Sequence, residues 1–79
     1  MAASTAYTAL HAEISAYLAN HLTEGTDINR YVTAILEDAD LSQPEISFEI
    51  RGHHTKRGNP LPCTFDVPEA LRAAYASEE

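Results

Sequence analysis

The chain has 79 residues, of which 44% are hydrophobic, and a single cysteine. This length predicts one small domain with a limited core, and the hydrophobic fraction argues against intrinsic disorder. One cysteine excludes an internal disulfide and favours a reducing, cytoplasmic setting. The N-terminal residues show no basic segment before an apolar run, and no apolar stretch reaches the length of a membrane span. We therefore expect neither a signal peptide nor a transmembrane helix.

Charge is the most informative property of the composition. Twelve acidic residues against five basic ones give a formal net charge of −7. Residues 1–50 hold eight of the acids and one base, whereas residues 51–79 hold four acids and four bases, so the excess lies entirely in the first part. Such a field repels nucleic acid and anionic membranes and attracts basic protein surfaces.

Two helices are predicted before residue 40. Apolar residues at steps of three and four predict the first over residues 5–24, with Ser4 or Thr5 as the N-cap and Gly25 as a left-handed C-cap. A cleaner helical period predicts the second over residues 27–39, capped by Thr26 or Asp27.

A β-hairpin is predicted over residues 45–67, because apolar and polar residues alternate on both sides of a turn-rich centre. A four-residue loop at Thr55–Gly58, with Gly58 left-handed, would place Phe48 opposite Phe65 and Ile50 opposite Cys63. Pro62 predicts a sheet edge on its side of the second strand.

A last helix is predicted over residues 67–76, with Asp66 as N-cap, and residues 77–79 are expected to fray. The fold class is therefore α+β: a small single domain, residues 1–79, with element order α-α-β-β-α and an antiparallel hairpin packed against helices.

Candidate catalytic and metal-binding groups are few. If the strand continues through His53 and His54, their side chains point to opposite faces and cannot share a metal ion. Cys63 falls in an apolar alternation, where cysteine behaves as a small hydrophobic residue, and there is no second cysteine for a zinc site. We expect no enzyme activity, no metal and no cofactor.

Six acidic residues lie within 23 positions, with Arg30 as the only base among them. We call these residues the acidic band: Asp27, Glu37, Asp38, Asp40, Glu45 and Glu49. One interpretation is a solubilising surface. The other is a partner-binding surface that complements a basic groove.

Residues 51–60 form the only basic segment of the chain. Its side chains His53, His54, Lys56 and Arg57 are the alternative candidate site, for phosphate groups, as in the wing of a winged helix. The acids of the second helix would oppose docking on DNA, so direct nucleic-acid binding is disfavoured.

In its size, its charge of −7 and its acidic run from Glu37 to Glu49, the chain resembles the small acidic inhibitors encoded by phages and mobile elements, including anti-CRISPR proteins. The resemblance implies a non-enzymatic protein that mimics DNA and blocks a basic, nucleic-acid-handling partner such as a CRISPR effector subunit. Two alternatives stay open: a winged-helix-like regulator that uses the basic segment, and an antitoxin-like inhibitor of a basic nuclease. A homodimer through a free edge strand is compatible with each.

Overall fold

A computed structural model describes the backbone of residues 2–76 and the side chains of residues 4–76. Helix α1 spans Ala2–Ala19, α2 spans Ile28–Asp38 and α3 spans Glu69–Ala76; strand β1 spans Glu45–Ile50 and β2 spans Leu61–Asp66. The predicted α+β class and the order α-α-β-β-α are confirmed. The expected fraying of residues 77–79 lies outside the described part of the chain.

Helix α1 is displaced from its predicted range of 5–24 toward the N-terminus. It already includes Ala2, so Ser4 and Thr5 lie inside the helix and the predicted caps are wrong. It ends at Ala19, and beyond its last turn Leu22 forms an isolated β-bridge with Thr55. Gly25 does adopt positive φ, +88°, but in the turn that follows rather than as the C-cap.

The predicted start of α2 is confirmed in its atomic detail. Asp27 has extended backbone, and its carboxylate accepts a hydrogen bond from the Arg30 amide at 3.2 Å. Such a bond satisfies one of the amides left unpaired at a helix N-terminus. For α3, however, the predicted cap is wrong: Asp66 is the last residue of β2, and the Pro68 carbonyl accepts the first helical bonds, from the amides of Leu71 and Arg72.

One hydrophobic core lies between the helices and the inner face of the hairpin. The helical period of α1 places Leu10, Ile14 and Leu18 in it, each at most 1% exposed. The other buried apolar side chains of the described residues come from α2, both strands, α3 and the segments between elements: Leu22, Val32, Leu36, Leu41, Ile46, Ile50, Cys63, Val67 and Leu71.

The hairpin register differs from the prediction by two residues. Ile46 lies opposite Phe65 and Phe48 opposite Cys63, whereas a four-residue loop would have placed Phe48 opposite Phe65. The same side chains still face the core, since a shift of two residues keeps every side chain on its face. The sheet has two strands in the described residues, in agreement with the edge predicted from Pro62.

The basic segment is a folded connection rather than a projecting tip. Its residues Gly52–His54 form a short 3₁₀ turn, and the Thr55 hydroxyl is within hydrogen-bonding distance of the Gly52 and Asn59 carbonyls, at 3.0 and 2.8 Å. Gly58 has the predicted left-handed conformation, with φ +77°. The connection therefore spans ten residues between the two strands, which accounts for the shifted register.

Candidate functional site

Four members of the acidic band lie between the last turn of α2 and the start of β1. Glu37 and Asp38 occupy the last turn of α2, and both are exposed. The helix stops at Ala39, whose extended backbone turns the chain toward Asp40. The negative end of the helix dipole and two carboxylates therefore lie side by side.

Asp40 organises the turn that joins α2 to β1. Its carboxylate accepts hydrogen bonds from the Ser42 hydroxyl, from the Ser42 amide at 3.1 Å and from the Gln43 side-chain amide at 3.2 Å. These bonds, that of the Ser42 hydroxyl first, lower the pKa of the Asp40 carboxyl below its usual value. Asp40 thus has a structural role in addition to its charge.

Strand pairing adds a fifth carboxylate that sequence reasoning did not include. Glu45 begins β1 and lies directly opposite Asp66 at the end of β2, with both side chains exposed. The predicted register places Ser47 opposite Asp66, so it does not bring Asp66 next to Glu45. Only the correct strand register would have identified this pair. We define the acidic end as the exposed residues Glu37, Asp38, Asp40, Glu45 and Asp66.

The structure does not bring the whole acidic band together. Asp27 caps the opposite end of α2, roughly 16 Å from Asp38 along an 11-residue helix. Glu49 is four residues along β1 from Glu45, or about 13 Å. Both residues are exposed, but only four of the six members of the band belong to the acidic end.

The basic segment is held against the end of α1. The Lys56 amide donates to the His21 carbonyl at 2.9 Å, and the Thr23 amide donates to the His54 carbonyl at 3.0 Å. These backbone bonds leave the side chains of Lys56 and Arg57 exposed. The segment therefore presents its charge from a fixed position, next to the end of α1.

The two histidines of this segment are neighbours, contrary to the expectation that they point to opposite faces. The strand ends at Ile50, and in the 3₁₀ turn the ring centroids of His53 and His54 are 4.0 Å apart. The His54 ring also meets the edge of Tyr31, with centroids 5.4 Å apart. Even so, among the residues with described side chains, no three His, Cys, Asp or Glu residues converge as a metal site would require.

Cys63 faces the core and is 5% exposed. Burial raises the pKa of its thiol, and the thiol donates a weak hydrogen bond to the Leu61 carbonyl at 3.6 Å. A protonated, buried thiol is a poor nucleophile, because the thiolate is the reactive form.

A groove of about 910 Å³ runs between α2 and β1. Its floor includes Tyr31, Ile35 and Phe48, which are only partly buried. Arg30 and Arg51 line one end together with Asp27 and His54, and Asp38 lines the other. The groove is therefore apolar at its base and differs in charge between its ends.

In comparisons with known proteins, no protein-family model, no curated protein and no solved structure gave a significant match to this chain. Within the described residues, no helix combines the length and the apolar character needed to cross a bilayer.

Proposed function

We propose that this protein is a non-enzymatic inhibitor that binds a basic, nucleic-acid-handling partner protein in the cytoplasm of a host cell. The observation that carries the proposal is the acidic end, where four separate parts of the chain contribute five exposed carboxylates. Charge concentrated on one face accelerates association with a surface of opposite sign and makes that association sensitive to salt.

Two features of the acidic end lower the stability of the fold. Carboxylates that persist at such positions are better explained by a function than by folding. Glu37 and Asp38 lie at a helix C-terminus, where each negative charge costs on the order of a few tenths of a kcal/mol. Glu45 and Asp66 lie directly opposite each other across the hairpin, and like charges in that position are also destabilising. Lysine at any of these positions would relieve the repulsion.

DNA mimicry is the form of inhibition we favour, with a CRISPR effector subunit or a similar nucleic-acid-binding groove as the partner. Carboxylates then replace the phosphates that such a groove normally binds, and the basic side chains that neutralise phosphate make the interaction strongly salt-dependent.

The test uses two variants of equal charge. Glu37→Lys with Asp38→Lys reverses the acidic end, and Glu13→Lys with Glu24→Lys reverses two exposed acids on α1 and in the turn after it. Each double variant changes two acids into two bases, so the net charge becomes −3 in both, compared with −7. Asp40 is left intact because its hydrogen bonds shape the turn.

Each tagged protein is used to capture partners from host lysate at low salt. We expect the wild type and the Glu13/Glu24 variant to retain the same basic protein, and the Glu37/Asp38 variant to lose it. Circular dichroism and thermal unfolding of all three proteins verify folding. Equal capture by both variants would rule out the acidic end as the binding surface.

A second candidate is the winged-helix-like regulator, favoured by the exposed Lys56 and Arg57 on a fixed segment. A mobility-shift assay with random duplex DNA at low salt separates it from a mimic, since only a regulator should bind the duplex. An antitoxin-like inhibitor would use the same acidic end, and a nuclease recovered in the capture experiment would identify it.

A further inference from the structure

We propose that two copies of this chain associate through the free edge of β1, with Phe48 on the twofold axis and a continuous four-stranded sheet across the pair. The inference depends on strand geometry and on the groove beside β1. It does not require the function proposed above.

The hydrogen-bond pattern shows which backbone groups of β1 face outward. The Val67 amide donates to the Pro44 carbonyl at 2.9 Å, and the register continues from this pair along the hairpin. Directly opposite pairs alternate between bonded and non-bonded in an antiparallel ladder, so Ile46, Phe48 and Ile50 bond to β2. The amides and carbonyls of Glu45, Ser47 and Glu49 therefore point to the opposite side.

That side is the groove between α2 and β1, which both Ser47 and Glu49 line. Within the described residues β1 pairs only with β2, so these outward amides and carbonyls have no strand partner. An unpaired edge with a partly apolar neighbouring surface is a template for another strand. Phe48, partly buried at the centre of the groove, supplies apolar surface for it.

The charges along β1 and at the Asp38 end of the groove favour one direction and one identity for the added strand. An antiparallel strand would begin near Arg51, where Arg30 and Arg51 line the groove together with Asp27 and Glu49, and would end near Asp38. It should accordingly begin with an acid and end with a base. The segment Glu45–Arg51 of this same chain, EISFEIR, has that order.

One register satisfies both strands at once. With Phe48 opposite Phe48 of the second copy, Glu45 lies opposite Arg51 of the second copy, and Ser47 lies opposite Glu49 of the second copy. Twofold symmetry repeats each pair, as an isologous interface requires. Moving the axis to Ser47 would instead place Glu45 opposite Glu49, a pair of like charges that is disfavoured.

The other members of the acidic end stay available in such a pair. Glu37 and Asp40 do not line the groove, so their carboxylates remain exposed when β1 is covered. The pair would present two acidic ends, one at each end of the joined sheet.

Sedimentation equilibrium over a concentration range up to about 1 mM tests the proposal, since a dissociation constant below that value is expected for a specific contact. Arg51→Glu places like charges opposite each other at both ends and should raise the dissociation constant at least tenfold. Glu45→Arg combined with Arg51→Glu exchanges the charges and should restore it. Circular dichroism confirms that each variant is folded.

A covalent test fixes the register. Both cysteine substitutions are made in a Cys63→Ala background, because Cys63 lies directly opposite Phe48 in the same hairpin and could form an intramolecular disulfide. In that background Phe48→Cys should form an intermolecular disulfide under mild oxidation, because side chains of a non-hydrogen-bonded pair come within reach of each other. Thr64→Cys, exposed on the outer face of β2, is the matched control and should remain reduced. A wild type that stays monomeric, a dimer unaffected by Arg51→Glu, or a charge exchange that fails to restore association would each overturn the proposal.

Discussion

Gly52→Ala is the substitution for which the structure makes the sharpest prediction. A Cβ atom at this position would lie 2.5 Å from the Gly58 carbonyl oxygen, 3.1 Å from the carbonyl carbon of Gly58 and 3.3 Å from that of Asn59. All three are backbone atoms, and the Thr55 hydroxyl oxygen lies between the Gly52 and Asn59 carbonyl oxygens, at 3.0 and 2.8 Å. The two sides of the connection therefore cannot separate without breaking this arrangement.

Inserting one methyl group into a well-packed site typically costs 1–3 kcal/mol, and a backbone contact places the cost near about 3 kcal/mol. In a domain of this size, each kcal/mol lowers the melting temperature by about 4–8 °C, so we expect a decrease on the order of 12–24 °C. Urea unfolding followed by circular dichroism measures the free energy.

Gly25→Ala is the control, since it has no neighbouring atom within 4 Å but has a φ of +88°. It should cost only the left-handed backbone penalty of about 1–2 kcal/mol. If Gly52→Ala lowers the free energy of unfolding by no more than Gly25→Ala does, then the close contact between Gly52 and the Gly58 backbone is contradicted.

Three further predictions concern single side chains. Asp27→Ala removes the cap of α2 and should lower the free energy of unfolding by about 1 kcal/mol. Asp27→Asn should retain most of the wild-type stability, because asparagine is also a good N-cap. Asp40→Asn should be less stable than the wild type at neutral pH. The difference should begin to shrink as the pH falls below about 3.9 and should disappear below the lowered pKa of the folded state. The reason is that a carboxyl with a lowered pKa stabilises the fold above its unfolded pKa and loses that contribution as it becomes protonated. Cys63 should react with a thiol reagent only slowly in the native protein and at once in denaturant, because burial raises its pKa.

Each of these has a result that contradicts it. An unchanged unfolding midpoint for Asp27→Ala would mean that the cap bond contributes nothing. A stability difference for Asp40→Asn that persists at pH 2 would assign the effect to something other than ionisation. Rapid, complete labelling of native Cys63 would show that the core opens readily.

The element closest to its predicted bounds is one in which local signals and burial agree. The second helix combines a cap, Asp27, with a strong apolar period, and its predicted range of 27–39 differs from the structure by one residue at each end. The first helix was less well placed, because its C-terminal turn gives way to a long-range bridge between Leu22 and Thr55. Periodicity within one segment carries no information about such a contact.

The hairpin shows a different limit. Alternation fixed which side chains face the core but could not separate two registers that differ by two residues. The choice depends on the ten-residue connection, where Gly52 packs on the Gly58 backbone and Thr55 is buried. The glycines were visible in the sequence, but their close approach was not.

The sequence predicts the negative charge of the candidate site, but only part of the set of residues that lie together in it. Glu37, Asp38 and Asp40 are close in sequence and in space, so proximity along the chain was sufficient there. Asp27 belongs to the far end of α2, and Asp66 joins through strand pairing. The run of acids in the sequence indicated that the surface is negatively charged. Which carboxylates lie together on it depends on the fold.

The central claim is that the acidic end occupies a surface where the partner normally binds nucleic acid. The most direct measurement is competition: a partner captured from lysate by the wild-type protein is challenged with increasing duplex DNA at fixed low salt. We expect the DNA to displace the protein, with no complex containing all three, because both ligands require the same basic side chains. A stable ternary complex, with the protein retained at saturating DNA, would contradict the claim.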